Sequence, residues 1–137
     1  MKKVINMAFI YAILGLIGGV YYRELTRFFE FSGKTQLGTV HTHLFVLGMI
    51  MLLLIGLYGE KLNLFETKRF KVFYVLYNVG VLMSTVMMVI RGTLQVIGTQ
   101  VSRAVDMSIS GISGIAHIIL GIGFVLFFML LKKHCKN

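Results

Sequence analysis

Four long runs of apolar residues limit what this chain can fold into more than any other feature of the sequence. They cover about residues 6–22, 36–58, 70–97 and 107–131. A helix needs roughly 20 apolar residues to cross the hydrocarbon core of a bilayer, and it satisfies its own backbone hydrogen bonds there. The sequence therefore predicts an all-α integral membrane protein, in which residues 1–137 form one domain of four transmembrane helices.

The charge content supports a membrane protein and argues against nucleic-acid binding. Charged residues make up 14% of the chain, whereas a soluble domain carries about 25%. The net charge of +9 arises from Lys and Arg near the ends of the apolar runs, where they face lipid headgroups. Nine fall on one side (Lys2, Lys3, Lys61, Lys68, Arg69, Lys71, Lys132, Lys133 and Lys136) and five on the other (Arg23, Arg27, Lys34, Arg91 and Arg103). This asymmetry predicts that both termini lie in the cytoplasm and that the protein resides in the cell membrane.

Three of the four histidines lie inside the apolar runs: His41, His43 and His117. Ionisable side chains are costly there and suggest a functional site; the alternative is a histidine that hydrogen-bonds to a neighbouring helix. His134 and Cys135 lie in the basic tail, where a solvated imidazole and an idle thiol are expected. A single cysteine excludes an intrachain disulfide and a thiolate metal cluster.

Two of these histidines are expected at a similar depth in the membrane. His43 lies nine residues after Lys34, which is about 13 Å along a helix. His117 lies eleven residues after Asp106, which is about 16 Å along its own helix. Both helices start on the outer side, and imidazoles facing each other at one depth suit the two axial positions of a haem iron.

Glycines accompany the histidines at helical spacing. Gly114 and Gly121 lie three and four residues either side of His117 and share its helix face. They would leave a flat slot in which a porphyrin could lie. Gly48 lies seven residues after His41 and shares the face of that histidine.

The third apolar run carries further candidate residues near its outer end. Arg91 and Gln95 could hold haem propionates, because an arginine fork fits a carboxylate. The alternative is an arginine that extends to the interface and only marks it. Met83, Met87 and Met88 could supply a thioether ligand, but methionines in such a helix more often serve packing.

The segment from His41 to Met49, with the sequence HTHLFVLGM, resembles a motif in subunit I of the haem-copper oxidases and their relatives. These relatives include the cbb-type oxidases, the nitric oxide reductases and the NnrS family. The chain as a whole resembles a family of small four-helix bacterial membrane proteins of unknown function. In the oxidases a His-x-His segment ligates two haems on opposite helix faces, so the resemblance implies that His41 and His43 are axial ligands. The histidines and the histidine–tyrosine helix that hold copper in those enzymes have no counterpart here.

The resemblance also implies an oligomeric state. The oxidase subunit has twelve helices in three arcs of four, so three copies of this chain could assemble as a homotrimer with that layout. His41 and His43 are two residues apart and point in nearly opposite directions. Each pocket could then receive His43 from one chain and His41 from its neighbour, or either of them with His117.

The function that these features predict is a haem b protein of the membrane. It would serve electron transfer if both axial ligands are histidines, and small-gas chemistry or sensing (oxygen or nitric oxide) if only one is. Its electron donor and any enzymatic reaction are not indicated by the sequence. The alternatives are a transport protein whose three buried histidines relay protons or bind zinc or copper, and a structural subunit without a cofactor.

Overall fold

The computed structural model describes residues 1–135, and these contain four long helices and no strand. The helices are α1 (Lys2–Phe28), α2 (Leu37–Lys61), α3 (Lys68–Ile97) and α4 (Arg103–His134). Each is long and apolar enough to cross a membrane. The predicted all-α, four-helix membrane fold is therefore confirmed. The helices extend beyond the apolar runs because their polar end residues continue the same backbone hydrogen bonding.

Short connections with ordinary capping join the helices. Thr67 precedes α3 and accepts a hydrogen bond from the backbone N–H of Phe70 at 3.1 Å. Gly98 ends α3 with a φ of +72°, a left-handed conformation that glycine adopts without strain. Ser102 then caps the start of α4. Because the connections are short, consecutive helices run antiparallel, and all four cross the same layer.

Helix α3 is the centre of the bundle. Helices α1, α2 and α3 pack against one another, whereas α4 makes its extensive contacts with α3 alone. About 50% of the apolar stretch of α3 is buried, against 28% for that of α4. One long side of α4 is therefore left to lipid or to another molecule.

Buried tyrosines replace a purely aliphatic core where α1, α2 and α3 meet. The Tyr11 hydroxyl donates to the Asn78 side-chain oxygen at 2.9 Å. The Tyr77 hydroxyl donates to the backbone carbonyl of Leu47 at 2.8 Å. Each hydroxyl is thus satisfied inside the apolar layer, where an unpaired polar group is costly. These bonds fix the register of α3 against both of its neighbours.

Helix α2 is not a regular α-helix along its length. Residues Leu44–Ile50 are wound as a π-helix, directly after His43. In this winding a carbonyl accepts from the N–H five residues on, as Val46 does from Met51, and the carbonyl of Leu47 also accepts from the Tyr77 hydroxyl. Such π-helical turns often occur at functional sites, and the sequence, which contains no proline, gave no indication of this one.

Candidate functional site

His41 faces α1. It lies beside Gly19 and meets the ring of Phe45 edge to face, with 6.4 Å between the ring centroids. Its Nδ1 is buried and has no hydrogen-bond partner within residues 1–135. Gly48 shares this face, as its spacing predicts, but a Cβ there would lie only 2.5 Å from Cγ of Tyr11. The face around Gly48 is filled by tyrosine and leaves no room for a porphyrin.

His43 and His117 are each anchored to their own helix. Nδ1 of His43 lies 3.2 Å from the carbonyl oxygen of Thr39, and Nδ1 of His117 lies 2.7 Å from that of Ser113. A carbonyl only accepts, so the hydrogen must be on Nδ1 in both rings. Nε2 then carries a lone pair and is the atom available to a metal.

That bond alone does not mark a ligand. His134, in the last turn of α4, makes the same contact with the carbonyl of Leu130 at 2.9 Å. His43 and His117 differ from it in position, because they lie well inside the membrane-spanning helices, where His43 is half-buried and His117 is exposed. An imidazole that meets lipid at this depth has no partner for Nε2 from the lipid itself.

Helical spacing aligns His117 with a polar column on α3. Tyr77, Ser84 and Arg91 are seven residues apart and form one column; Ser110, His117 and Phe124 form the matching column on α4. The columns meet at both ends: Arg91 donates to the Ser110 hydroxyl at 2.6 Å, and the rings of Tyr77 and Phe124 lie 5.4 Å apart. Since the two helices run antiparallel, Ser84 is level with His117.

Helical spacing places His43 towards the same side of α3. It precedes Leu47 by one turn and so shares the helix face that meets Tyr77. Gly92 of α3 packs on the backbone of Leu37. His43 is six residues after Leu37, about 9 Å below that contact, and Ser84 is eight residues before Gly92, about 12 Å below it.

From these positions we infer that His43 and His117 flank α3 at the level of Ser84, between α2 and α4, and we call this region the Ser84 groove. Ser84 is buried at its base, with 1% of its surface exposed, and His43 on α2 and His117 on α4 lie to either side. The sequence predicts that His43 and His117 lie at a similar depth, and these positions further predict that they face each other across one groove. His41, on the opposite face of α2, does not belong to it.

Arg91 and Gln95 lie together near the C-terminal end of α3. They line a cavity of about 200 Å³. Nη2 of Arg91 makes an ion pair with Asp106 at 3.0 Å, and 26% of the arginine side chain is exposed. The Gln95 side-chain oxygen accepts from the backbone N–H of Gln36 at 2.9 Å. Within residues 1–135, Nε and Nη1 of Arg91 have no hydrogen-bond or ion-pair partner, so the guanidinium can still bind an anion.

The glycines beside His117 face open space. A Cβ at Gly114 or at Gly121 would have no heavy atom within 4 Å. The sequence predicts a slot at this position, and the fold leaves the space beside His117 unfilled.

The remaining candidates are dispersed. Within the described part of the chain, no three His, Cys, Asp or Glu side chains come together in a way that could hold a metal ion. His41, His43 and His117 therefore do not form one metal cluster in a single chain. Met87 and Met88 are buried packing residues, and Cys135 is an exposed thiol after the end of α4.

Sequence reasoning missed Tyr77 and Ser84. Their seven-residue spacing with Arg91 was the available signal, because three polar residues on one face of an apolar helix are uncommon. The partners of that face can be known only once the packing of α2 and α4 is known.

The fold and the site together define a multi-pass α-helical membrane protein that carries imidazoles within its apolar layer. The family model "Protein of unknown function (DUF2871)" matches residues 1–134, and the chain belongs to this family. The expected membership of a family of unknown function is thus confirmed. No curated protein and no solved structure matches the chain. The likeness to the haem-copper oxidases and to NnrS has no match that supports it.

Proposed function

We propose that this protein binds haem b in the Ser84 groove, with His43 and His117 as the axial ligands. One observation supports the proposal: His43 and His117, which residue counting puts at a similar depth on two helices, each have Nδ1 anchored to a backbone carbonyl and, within residues 1–135, no hydrogen-bond partner for Nε2. In the apolar layer this arrangement is costly unless Nε2 finds a partner.

The number of donors favours haem over a bare metal ion. A porphyrin supplies four nitrogens to iron, so the protein needs to add only one or two axial ligands. Zinc in proteins takes three or four protein ligands, and the described chain gathers no such set. Zinc or copper would need histidines from more than one copy of the chain.

The surroundings of His117 also fit a flat ligand. Gly114 and Gly121 leave the helix surface bare on either side of the imidazole. Arg91 lies seven residues outward of Ser84, about 10 Å along α3. It would hold a propionate at the outer end of the groove, with Gln95 beside it, because guanidinium and carboxylate pair well.

The pairing of two histidines favours electron transfer over gas binding. When bound, the haem would supply one-electron redox chemistry. The two imidazoles would occupy both axial positions, and the apolar helices would exclude water. Oxygen or nitric oxide chemistry or sensing would require one histidine to leave the iron. The electron donor would be a partner that these residues do not define.

Absorbance spectroscopy of the purified membrane protein tests the proposal. The wild type, expressed with haem supplied, should show a Soret band that shifts on reduction with dithionite. His43→Ala and His117→Ala should each lower the haem content several-fold. His134→Ala is the matched control, because it removes an imidazole with the same backbone bond outside the groove. Wild-type protein that stays colourless under haem supply and reconstitution would refute the proposal, and metal analysis of that sample would test zinc and copper.

We further propose that both termini face the cytoplasm and that three chains assemble. Cys135 is the single cysteine of the chain and is exposed, so an impermeant maleimide should label it only after the cell membrane is opened. Labelling of intact cells would contradict this orientation. Native mass measurement in mild detergent should give three chains, and a monomer alone would eliminate the trimer.

A further inference from the structure

A groove opens where the first turns of α3 meet the last turns of α4, at the opposite end of α3 from Arg91. In the orientation proposed above, this is the cytoplasmic end. The groove has a volume of about 310 Å³. Its walls are almost entirely apolar and come from Val72 of α3 and from Leu126, Met129 and Leu130 of α4, while Lys68 and Arg69 stand at its mouth. It therefore combines a cationic entrance with an apolar interior.

The cations at the mouth form no ion pair within the described part of the chain. Within residues 1–135, the ion pairs are Arg23 with Glu24 and Arg91 with Asp106, and none involves Lys68 or Arg69. Both side chains are exposed, and they occupy the first turn of α3, where the helix dipole adds positive potential. Lys132 and Lys133 end α4 nearby in the same layer.

We propose that this groove binds an anionic glycerophospholipid of the inner leaflet. The phosphate would lie between Lys68 and Arg69, and an acyl chain would run along the floor that Leu126 and Met129 form. Basic pockets between transmembrane helices on the cytoplasmic side hold acidic headgroups in this way. Charge complementarity at the mouth, with the apolar floor below it, selects a lipid over a soluble anion. The proposal does not depend on haem binding.

Lipid titration followed by native mass spectrometry tests the site. The probes are phosphatidylglycerol and phosphatidylcholine with identical acyl chains, added to delipidated full-length protein in a neutral detergent. The wild type should bind phosphatidylglycerol more tightly than phosphatidylcholine. The double variant Lys68→Gln, Arg69→Gln should bind it about 25-fold more weakly, at roughly fivefold for each basic residue removed.

Two matched controls distinguish binding in this groove from effects of net charge or of surface hydrophobicity elsewhere on the protein. Lys34→Gln with Arg103→Gln removes the same charge from the outer end and should leave phosphatidylglycerol binding unchanged. Met129→Trp should fill the groove and weaken binding, whereas Phe128→Trp, on an exposed neighbour outside the groove, should not.

Three results would overturn the lipid site. The first is equal affinity for the two lipids. The second is an equal loss of phosphatidylglycerol affinity in the control double variant Lys34→Gln, Arg103→Gln. The third is a change of oligomeric mass on Met129→Trp, which would make the groove a contact between copies of the chain. Every one of these measurements can be made on haem-free protein, so the lipid site can fail or succeed independently of the haem proposal.

Discussion

Gly80→Ala should loosen the attachment of α4 to the bundle, because the backbone of α4 packs directly on Gly80 of α3. A Cβ at this position would lie 2.7 Å from the backbone nitrogen and 2.8 Å from Cα of Leu120. Ordinary contacts begin at 3.4 Å, so the helices would have to part by about 0.7 Å. The obstacle is backbone and cannot rotate aside, and α4 has no second helix to hold it.

The size of the effect follows from two opposing contributions. Overpacking of this kind costs about 1–3 kcal/mol, and alanine regains up to about 1 kcal/mol of helix propensity over glycine. The net loss should be about 1–2 kcal/mol. Gly114→Ala is the matched control on α4, since its new methyl group would meet no atom within 4 Å. It should be neutral or stabilise the haem-free protein by up to about 1 kcal/mol.

The assay is the free energy of unfolding in mixed detergent and SDS micelles, followed by circular dichroism on haem-free protein. The same two variants are then compared for haem content, where Gly114→Ala should lower occupancy by crowding the slot beside His117. Wild-type stability in Gly80→Ala, or equal destabilisation by both variants, would show that the close approach of α3 and α4 is not as described.

Two other predictions concern the contacts that position α2. Tyr77→Phe removes the hydroxyl that donates to the Leu47 carbonyl, so it should cost about 1–2 kcal/mol of unfolding free energy and speed hydrogen exchange in the π-helical segment. The control Tyr74→Phe, whose hydroxyl makes only a 3.4 Å contact with the Lys3 carbonyl, should cost less than about 0.5 kcal/mol. Equal effects of the two variants would contradict the role given to the Tyr77 hydroxyl. Gly92→Ala would place a methyl group 2.5 Å from the Leu37 backbone nitrogen. It should lower the free energy of unfolding by about 1–3 kcal/mol and speed hydrogen exchange at the backbone amide of Gln36. Unchanged protection of that amide would count against the contact between Gly92 and Leu37.

The sequence predicted what local physics determines. Four helices follow from the length and hydrophobicity of the apolar runs. The depth of His43 is counted from Lys34, whereas α2 begins at Leu37, so the similar depth of His43 and His117 stays a prediction. The helices proved longer than those runs, because the polar first turn of α4 is held by the Ser102 cap and not by lipid. The carbonyl of Leu47 in the π-helical turn of α2 accepts from the Tyr77 hydroxyl, 30 residues away in the chain, a contact that no local pattern reveals.

Two glycines show why the rest of the site could not be predicted. Gly48 and Gly114 both lie at helical spacing from a histidine in an apolar run, and the sequence suggested a cofactor face for both. Tyr11 fills the space over Gly48, whereas no side chain reaches Gly114. The difference lies in which helix packs opposite, a property of the tertiary arrangement and not of the spacing.

His43 and His117 are candidate ligands because of their position within the membrane-spanning helices and not because of their imidazole geometry. His134 shares their backbone bond, yet its Nε2 lies near the end of α4, where water can bond to it. Inside the apolar layer, neither lipid nor bulk water offers Nε2 a partner, and an unsatisfied polar atom there costs several kcal/mol. An axial bond to iron would relieve that cost at both rings at once. His41 differs because its Nδ1 is buried against α1 without a partner, so removal of that imidazole tests packing of the bundle and not the Ser84 groove.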